Sequence, residues 1–210
     1  MSHFCIELHK IANSRTRYRF PFNHREIPKN GIYILFEQGE RGHEGDRIVR
    51  IGTHTGVNQL RSRLKQHFVQ ENKDRSIFRK NIGRCILNKS NDPYLTLWEL
   101  DCTTTQAKAK YGPLLDRDYQ LRVERLVSRY IQESFSFCVL AVDDKDERLY
   151  LESKLISTVS ACKLCKPSSE WLGLSSPVKK IQASGLWQVN GLYKEAINSE
   201  ELQRLVELIT

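Results

Sequence analysis

The stretch Gly31-Ile32-Tyr33-Ile34-Leu35-Phe36 is apolar, β-branched and aromatic, and it follows the turn signal Pro28-Lys29-Asn30, so it predicts a strand. Residues 47–52 predict a second strand. The glycine-rich, charged stretch 37–46 between them reads as a loop, giving an antiparallel hairpin with a long mobile tip. Thr55-Gly56 then opens a helix over about 57–69, whose apolar stripe is Val57, Leu60, Leu64 and Phe68. A basic helical segment carrying Arg75, Arg79, Lys80 and Arg84 follows. Further along come a strand over 94–100, a strongly patterned helix over 116–132 and a strand over 135–142. Asp143-Asp144 marks a turn, with a helix behind it to about 161. Residues 166–177 are loop-like, and Ser199 caps a last helix carrying Leu202, Leu205, Val206 and Ile209. Together these predict an α+β fold: a small antiparallel sheet of three core strands flanked by helices.

At 210 residues and 40% hydrophobic, the chain can bury a core, either as one elaborated domain or as one domain with a small appendage. No apolar run is long enough to span a bilayer. The start, MSHFCIELHK, lacks the apolar segment and cleavage site of a signal peptide, so the expectation is a soluble, cytoplasmic protein without a membrane partner. The formal charge of +8 favours a polyanionic partner, nucleic acid being the commonest, over the rival of a mildly basic enzyme of small anions. The six cysteines read as reduced, partly buried thiols. Cys162 and Cys165 form a lone C-x-x-C; a zinc site would need a second pair of comparable spacing, so they are read as filling a helix end.

Three features carry candidate chemistry. Arg15, Arg17 and Arg19 fall on one face of an extended strip and Tyr18 and Phe20 on the other, which suits either a solvated edge strand or a phosphate contact. Glu152 falls near the middle of the apolar stripe formed by Leu149, Ile156 and Val159. A carboxylate there needs an ion-pair partner, hydrogen bonds or a bound cation. Arg63 and His67, spaced i, i+4, share one flank of their helix. The first offers a fork of donors for a phosphate and the second a proton-transfer or donor group. Arg61 and Lys65 occupy the opposite, solvated flank.

Gly31-Ile32-Tyr33, a second strand ending Ile51-Gly52, the run Arg63-Leu64-Lys65-Gln66-His67-Phe68 and Leu151-Glu152-Ser153-Lys154-Leu155-Ile156 in a later helix resemble, in that order, the GIY-YIG nucleases. The resemblance covers residues 31–69 and 135–161. It implies a metal-dependent DNA endonuclease in which Tyr33 lies near the attacking water and Arg63 holds the scissile phosphate. It further implies that His67 assists in proton transfer or phosphate contact, and that Glu152 ligates one divalent cation, Mg2+ or Mn2+. Where the family has a second tyrosine this chain has Arg50, which could contact phosphate. His54, just past the strand, could move a proton. The family's asparagine after the glutamate is also missing, leaving a serine of Lys166-Pro167-Ser168-Ser169-Glu170 to take over its hydrogen bond.

This reading divides the chain into a basic and aromatic arm (1–28), a GIY-YIG-like core (29–165) with a largely helical insertion over about 75–134, and a C-terminal extension packed on the core (166–210). Arg50, Arg75, Arg79, Lys80 and Arg84 are the expected nucleic-acid contacts, joined by Arg117, Arg122, Arg125 and Arg129; a solvated charged face is the alternative for each. The leading function is an endonuclease of double-stranded DNA, in restriction or defence against foreign DNA, with a homodimer as a route to cutting both strands. The alternatives are a catalytically silent nucleic-acid-binding module and a subunit of a DNA-processing complex.

Overall fold

In a computed structural model that describes residues 2–209, the chain runs through α1 (Ser2–Ser14), β1 (Tyr18–Arg19), β2 (Ile32–Gly42), β3 (Gly45–Gly52), α2 (Leu60–Phe68), α3 (Ile77–Lys89), α4 (Leu95–Trp98), α5 (Thr105–Tyr111), α6 (Arg117–Ser134), β4 (Phe135–Leu140), α7 (Lys145–Ser160), α8 (Lys179–Ser184) and α9 (Ser199–Ile209). The strands form one antiparallel sheet in the order β1-β4-β2-β3. The α+β architecture is therefore as expected, with the two-residue β1 added at the edge.

Because side chains alternate along β2, the sheet has two buried faces. Ile32, Ile34 and Phe36 pack with Cys5 and Leu8 of α1 and with Leu151, Leu155 and Val159 of α7. Tyr33 and Leu35 pack on the other face with Leu60, Leu64 and Phe68 of α2, Phe78 and Ile82 of α3, Val127 of α6, and Trp171 and Trp187 from the C-terminal region. Pairing Tyr33↔Gly52, Ile34↔Ile51 and Leu35↔Arg50 gives way to Phe36↔Ile48. The slip leaves Val49 as an extra residue, a bulge.

Several expectations need correction. Residues 37–46 are not a mobile tip: β2 and β3 continue to a tight turn at His43-Glu44, both at positive φ. Charged residues extend the ladder inward because they find partners. Glu37 accepts from the indoles of Trp171 (2.7 Å) and Trp187 (2.8 Å), and Glu40 pairs with Arg47 at 2.6 Å. The helix expected from Val57 begins at Leu60, and Val57 is 79% exposed. Residues 94–100 form the short α4 rather than a strand, with the Trp98 indole donating to the Lys80 carbonyl at 2.9 Å. Much of the supposed arm is α1, whose Cys5, Leu8 and Ala12 are buried. Arg17 lies over the Phe36 ring, 3.4 Å from its centroid, and donates to Asn13, so it is not a free phosphate contact. At α9 the cap is Asn198, not Ser199: its side chain accepts from the Glu201 N–H while Glu201 accepts from the Asn198 N–H, a reciprocal capping box.

Candidate active site

Tyr33 stands opposite Gly52 on β3. A Cβ at position 52 would lie 2.2 Å from the phenol oxygen, so only glycine leaves room for the ring to lie across the strand. The Tyr33 hydroxyl shares a 2.8 Å hydrogen bond with Nε2 of His67, and His67 Nδ1 shares one of 2.7 Å with Ser76 Oγ. Ser76 caps α3, accepting from the Arg79 N–H. The sequence thus couples the two helices through one buried histidine. Burial, then the charges of Arg63, Arg50 and Arg79, hold the His67 pKa well below its ordinary value, so the ring is neutral near pH 7.

Arg50 reaches the same face. It is 5% exposed and donates to the Trp187 carbonyl, while its Nε is buried without a partner among the described residues. Arg63 is half-buried and donates to Gln66 Oε1 (2.9 Å) and to the Arg75 carbonyl (3.1 Å). It lines a polar cleft of about 280 Å³ with Thr53, His54, Thr55, Gln59, Ser62 and Gln66.

His54 turns its Nδ1 to the Gly56 carbonyl at 2.6 Å. A carbonyl only accepts, so Nδ1 carries the proton and Nε2 the lone pair. That Nε2 is buried and has no partner among the described residues. Burial, with the Arg148 charge adding to it, lowers the His54 pKa below the ordinary histidine value.

Glu152, on α7, is half-buried rather than central to the apolar stripe. Its carboxyl is pushed up by burial. The Arg50 charge, the Thr53 backbone N–H, and Arg63 and Arg148 pull the other way. Three arginines therefore act on Glu152, yet among the described residues it makes no direct ion pair. Arg148 is committed elsewhere, donating to the carbonyls of Val142, Asp143 and His54.

The fold brings Glu152, Arg50, Arg63, His54, His67 and Tyr33 together around the end of β3. Tyr33 and His67 are buried, at 1% and 0% exposure, so His67 cannot contact a phosphate in this arrangement. Sequence reasoning missed Ser76, Thr53 and Arg148. Ser76 had a signal, since a serine ahead of Ile77-Phe78 is a helix cap.

The expected nucleic-acid contacts divide. Arg79 is fully buried and pairs with Glu124 at 2.7 Å. Lys80 is 8% exposed and donates to the Glu99 carbonyl. Arg84 pairs with Glu99 at 2.5 Å. The α3 residues expected to grip a backbone instead bind α6 and the segment after α4, which corrects their assignment. Arg75, Arg117, Arg122, Arg125 and Arg129 are exposed. Ser168 bonds to Glu40 on the outer half of the hairpin, so it does not replace the missing asparagine.

A family model described as GIY-YIG domain matches residues 4–210. The match takes in α1, the helical insertion and the C-terminal region as well as the motifs. No curated protein and no solved structure matches the chain.

Proposed function

Since the chain belongs to the GIY-YIG domain family, whose members are generally nucleases acting on DNA, we propose that it is a divalent-metal-dependent DNA endonuclease working at the cleft beside β3. The observation that carries this reading is Glu152: a carboxylate steadied by the Thr53 N–H, under the influence of three arginines, and in direct ion pair with none of the described residues. Such a group suits an oxygen-coordinated cation. The cleft lined by Thr53, whose N–H steadies Glu152, also carries the hydroxyls of Thr55 and Ser62 and the amide of Gln59, oxygen ligands of the same hard type. Glu152 would hold the ion, which supplies positive charge against the phosphoryl oxygens as they become more negative.

The remaining roles follow from the residues. Arg63, free at the cleft apart from two neutral acceptors, binds the scissile phosphate and orients it with its guanidinium fork. His54 lines the cleft and carries a buried, unpartnered Nε2 lone pair; neutral near pH 7, it takes the proton from the attacking water. Tyr33 passing its proton to His67 would create a buried imidazolium beside Arg50, Arg63 and Arg79, an unfavourable charge. His67 therefore acts as a neutral positioning residue that fixes the phenol against Gly52. Restriction or defence against foreign DNA is the role we attach to this activity, with double-stranded DNA as substrate.

The burial of Tyr33 and the replacement of the second motif tyrosine by Arg50 favour the alternative of a silent DNA-binding module. Incubating the purified chain with supercoiled plasmid separates the two. The nuclease reading predicts nicked or linear product with Mg2+ or Mn2+ and none with chelator; binding without product under all conditions supports the silent module.

A further inference from the structure

Cys5, His43, Cys162 and Cys165 come from three separate parts of the chain. Cys5 is on α1, His43 forms the turn between β2 and β3 with φ of 51°, and Cys162 and Cys165 follow α7. Their four ligand atoms all lie within 4.8 Å of one another. Cys5 Sγ is 3.6 Å from Cys165 Sγ, and Cys162 Sγ is 3.4 Å from His43 Nε2. We propose that these four residues form a structural zinc site, separate from Glu152 and from the cleft lined by Thr53, His54 and Arg63.

The geometry carries the argument. Zinc bonds of about 2.3 Å to sulfur and about 2.0–2.1 Å to imidazole nitrogen, arranged as a tetrahedron, place sulfurs about 3.8 Å apart and sulfur and nitrogen about 3.6 Å apart. The two close pairs are near those edges, and all four positions are filled by protein, as in structural rather than catalytic sites. Three thiolates and an imidazole are a soft set that suits zinc and rejects magnesium. Cys85 and Cys138, also buried in the apolar clusters, have no comparable His or Cys group within ligand distance among the described residues.

The surroundings are built for the same purpose. His9 accepts from the Ile48 N–H through Nε2 (3.2 Å), so its Nδ1 carries a proton. That N–H lies 2.9 Å from the Cys5 carbonyl and 3.6 Å from Cys5 Sγ. Both ring nitrogens of His9 are engaged, so it orients Cys5 and is not a fifth ligand. Its ring also meets that of His43 edge-on at 4.8 Å. At Gly42 a Cβ would come within 3.0 Å of the Cys165 Cβ, so glycine allows the hairpin to approach the C-x-x-C. The ion would tie α1 and the hairpin turn to the end of α7, two elements whose other parts carry Tyr33 and Glu152.

The test is the metal content of the full chain purified in reducing buffer from zinc-supplemented culture. About one zinc per chain is expected, with a fall in Tm on the order of 10 °C when a strong chelator strips it. Glu152→Gln should keep the zinc, whereas His43→Ala and Cys162→Ser should lose it. If those variants fold poorly, cobalt added to the stripped wild-type chain should give the thiolate charge-transfer and tetrahedral ligand-field bands. Wild-type protein that carries no zinc and shows neither cobalt spectrum nor chelator effect overturns the proposal, as does recovery of Cys5 and Cys165 as a metal-free disulfide.

Discussion

The phenol oxygen of Tyr33 lies 2.8 Å from Nε2 of His67, and Gly52 is the residue that lets it lie there. The glycine of the second motif and the tyrosine of the first are thus two halves of one contact. Gly52→Ala should push the phenol off its position and break the bond to His67. We expect a loss of stability of about 1–3 kcal/mol, typical of overpacking, and a larger proportional loss of cleavage, read by thermal melting and plasmid nicking on the same sample. Retained cleavage would show that the phenol's position is not used.

The pH dependence of cleavage should report His54. Its folded pKa is lowered, so the neutral form that can accept a proton persists below the ordinary histidine value of 6.5. Activity as kcat/KM should therefore show an acidic limb with its midpoint below 6.5. His54→Gln should remove that acidic limb along with most of the rate. A limb rising above neutral pH instead would point to a different base.

Stability should respond to His67 in a distinct way. The folded state holds His67 neutral, whereas the unfolded chain protonates near 6.5. The unfolded state therefore binds the extra proton, and this contribution to stability is present above 6.5 and lost as pH falls below it. Denaturant titrations should show a shallower acid dependence in His67→Gln than in wild type. An unchanged slope would mean that His67 carries no such linkage.

Much of the site was legible because helical spacing puts Arg63 and His67 on one flank, and because a carboxylate so near the apolar stripe of α7 needed a reason. What was hidden depended on distant partners. Glu37 and Glu40 looked like loop residues until Trp171, Trp187 and Arg47 supplied donors. Arg79 looked like a DNA contact because nothing local shows that Glu124, 45 positions away, takes it inside. Cys162 and Cys165 lacked a second local pair, and their neighbours Cys5 and His43 meet them only through the fold.

Arg79 and Arg75 should therefore separate in experiment. Arg79→Ala leaves the Glu124 carboxylate buried and unpaired and should cost about 3–5 kcal/mol of stability. Arg75→Glu, at an exposed position whose carbonyl binds Arg63, should leave Tm nearly unchanged and weaken DNA binding across sequences. It should also reduce the log–log salt slope by about 1. If Arg75→Glu binds DNA as wild type does, the basic surface beside the cleft is not the interface.

The central claim rests on Glu152, and Glu152→Gln tests it when melting, DNA affinity and cleavage are measured together. Burial raises this carboxyl, so the folded state favours its protonated form and the ionised group lowers stability at neutral pH. The amide should therefore melt at the same temperature as wild type or higher, with any gain lost as pH falls into the carboxylate range. DNA affinity should persist, while cleavage falls by about 10²-fold or more because the cation is no longer held against the phosphate. A large fall in Tm with cleavage intact in the folded fraction would contradict the account, making Glu152 part of the architecture and placing the active site elsewhere.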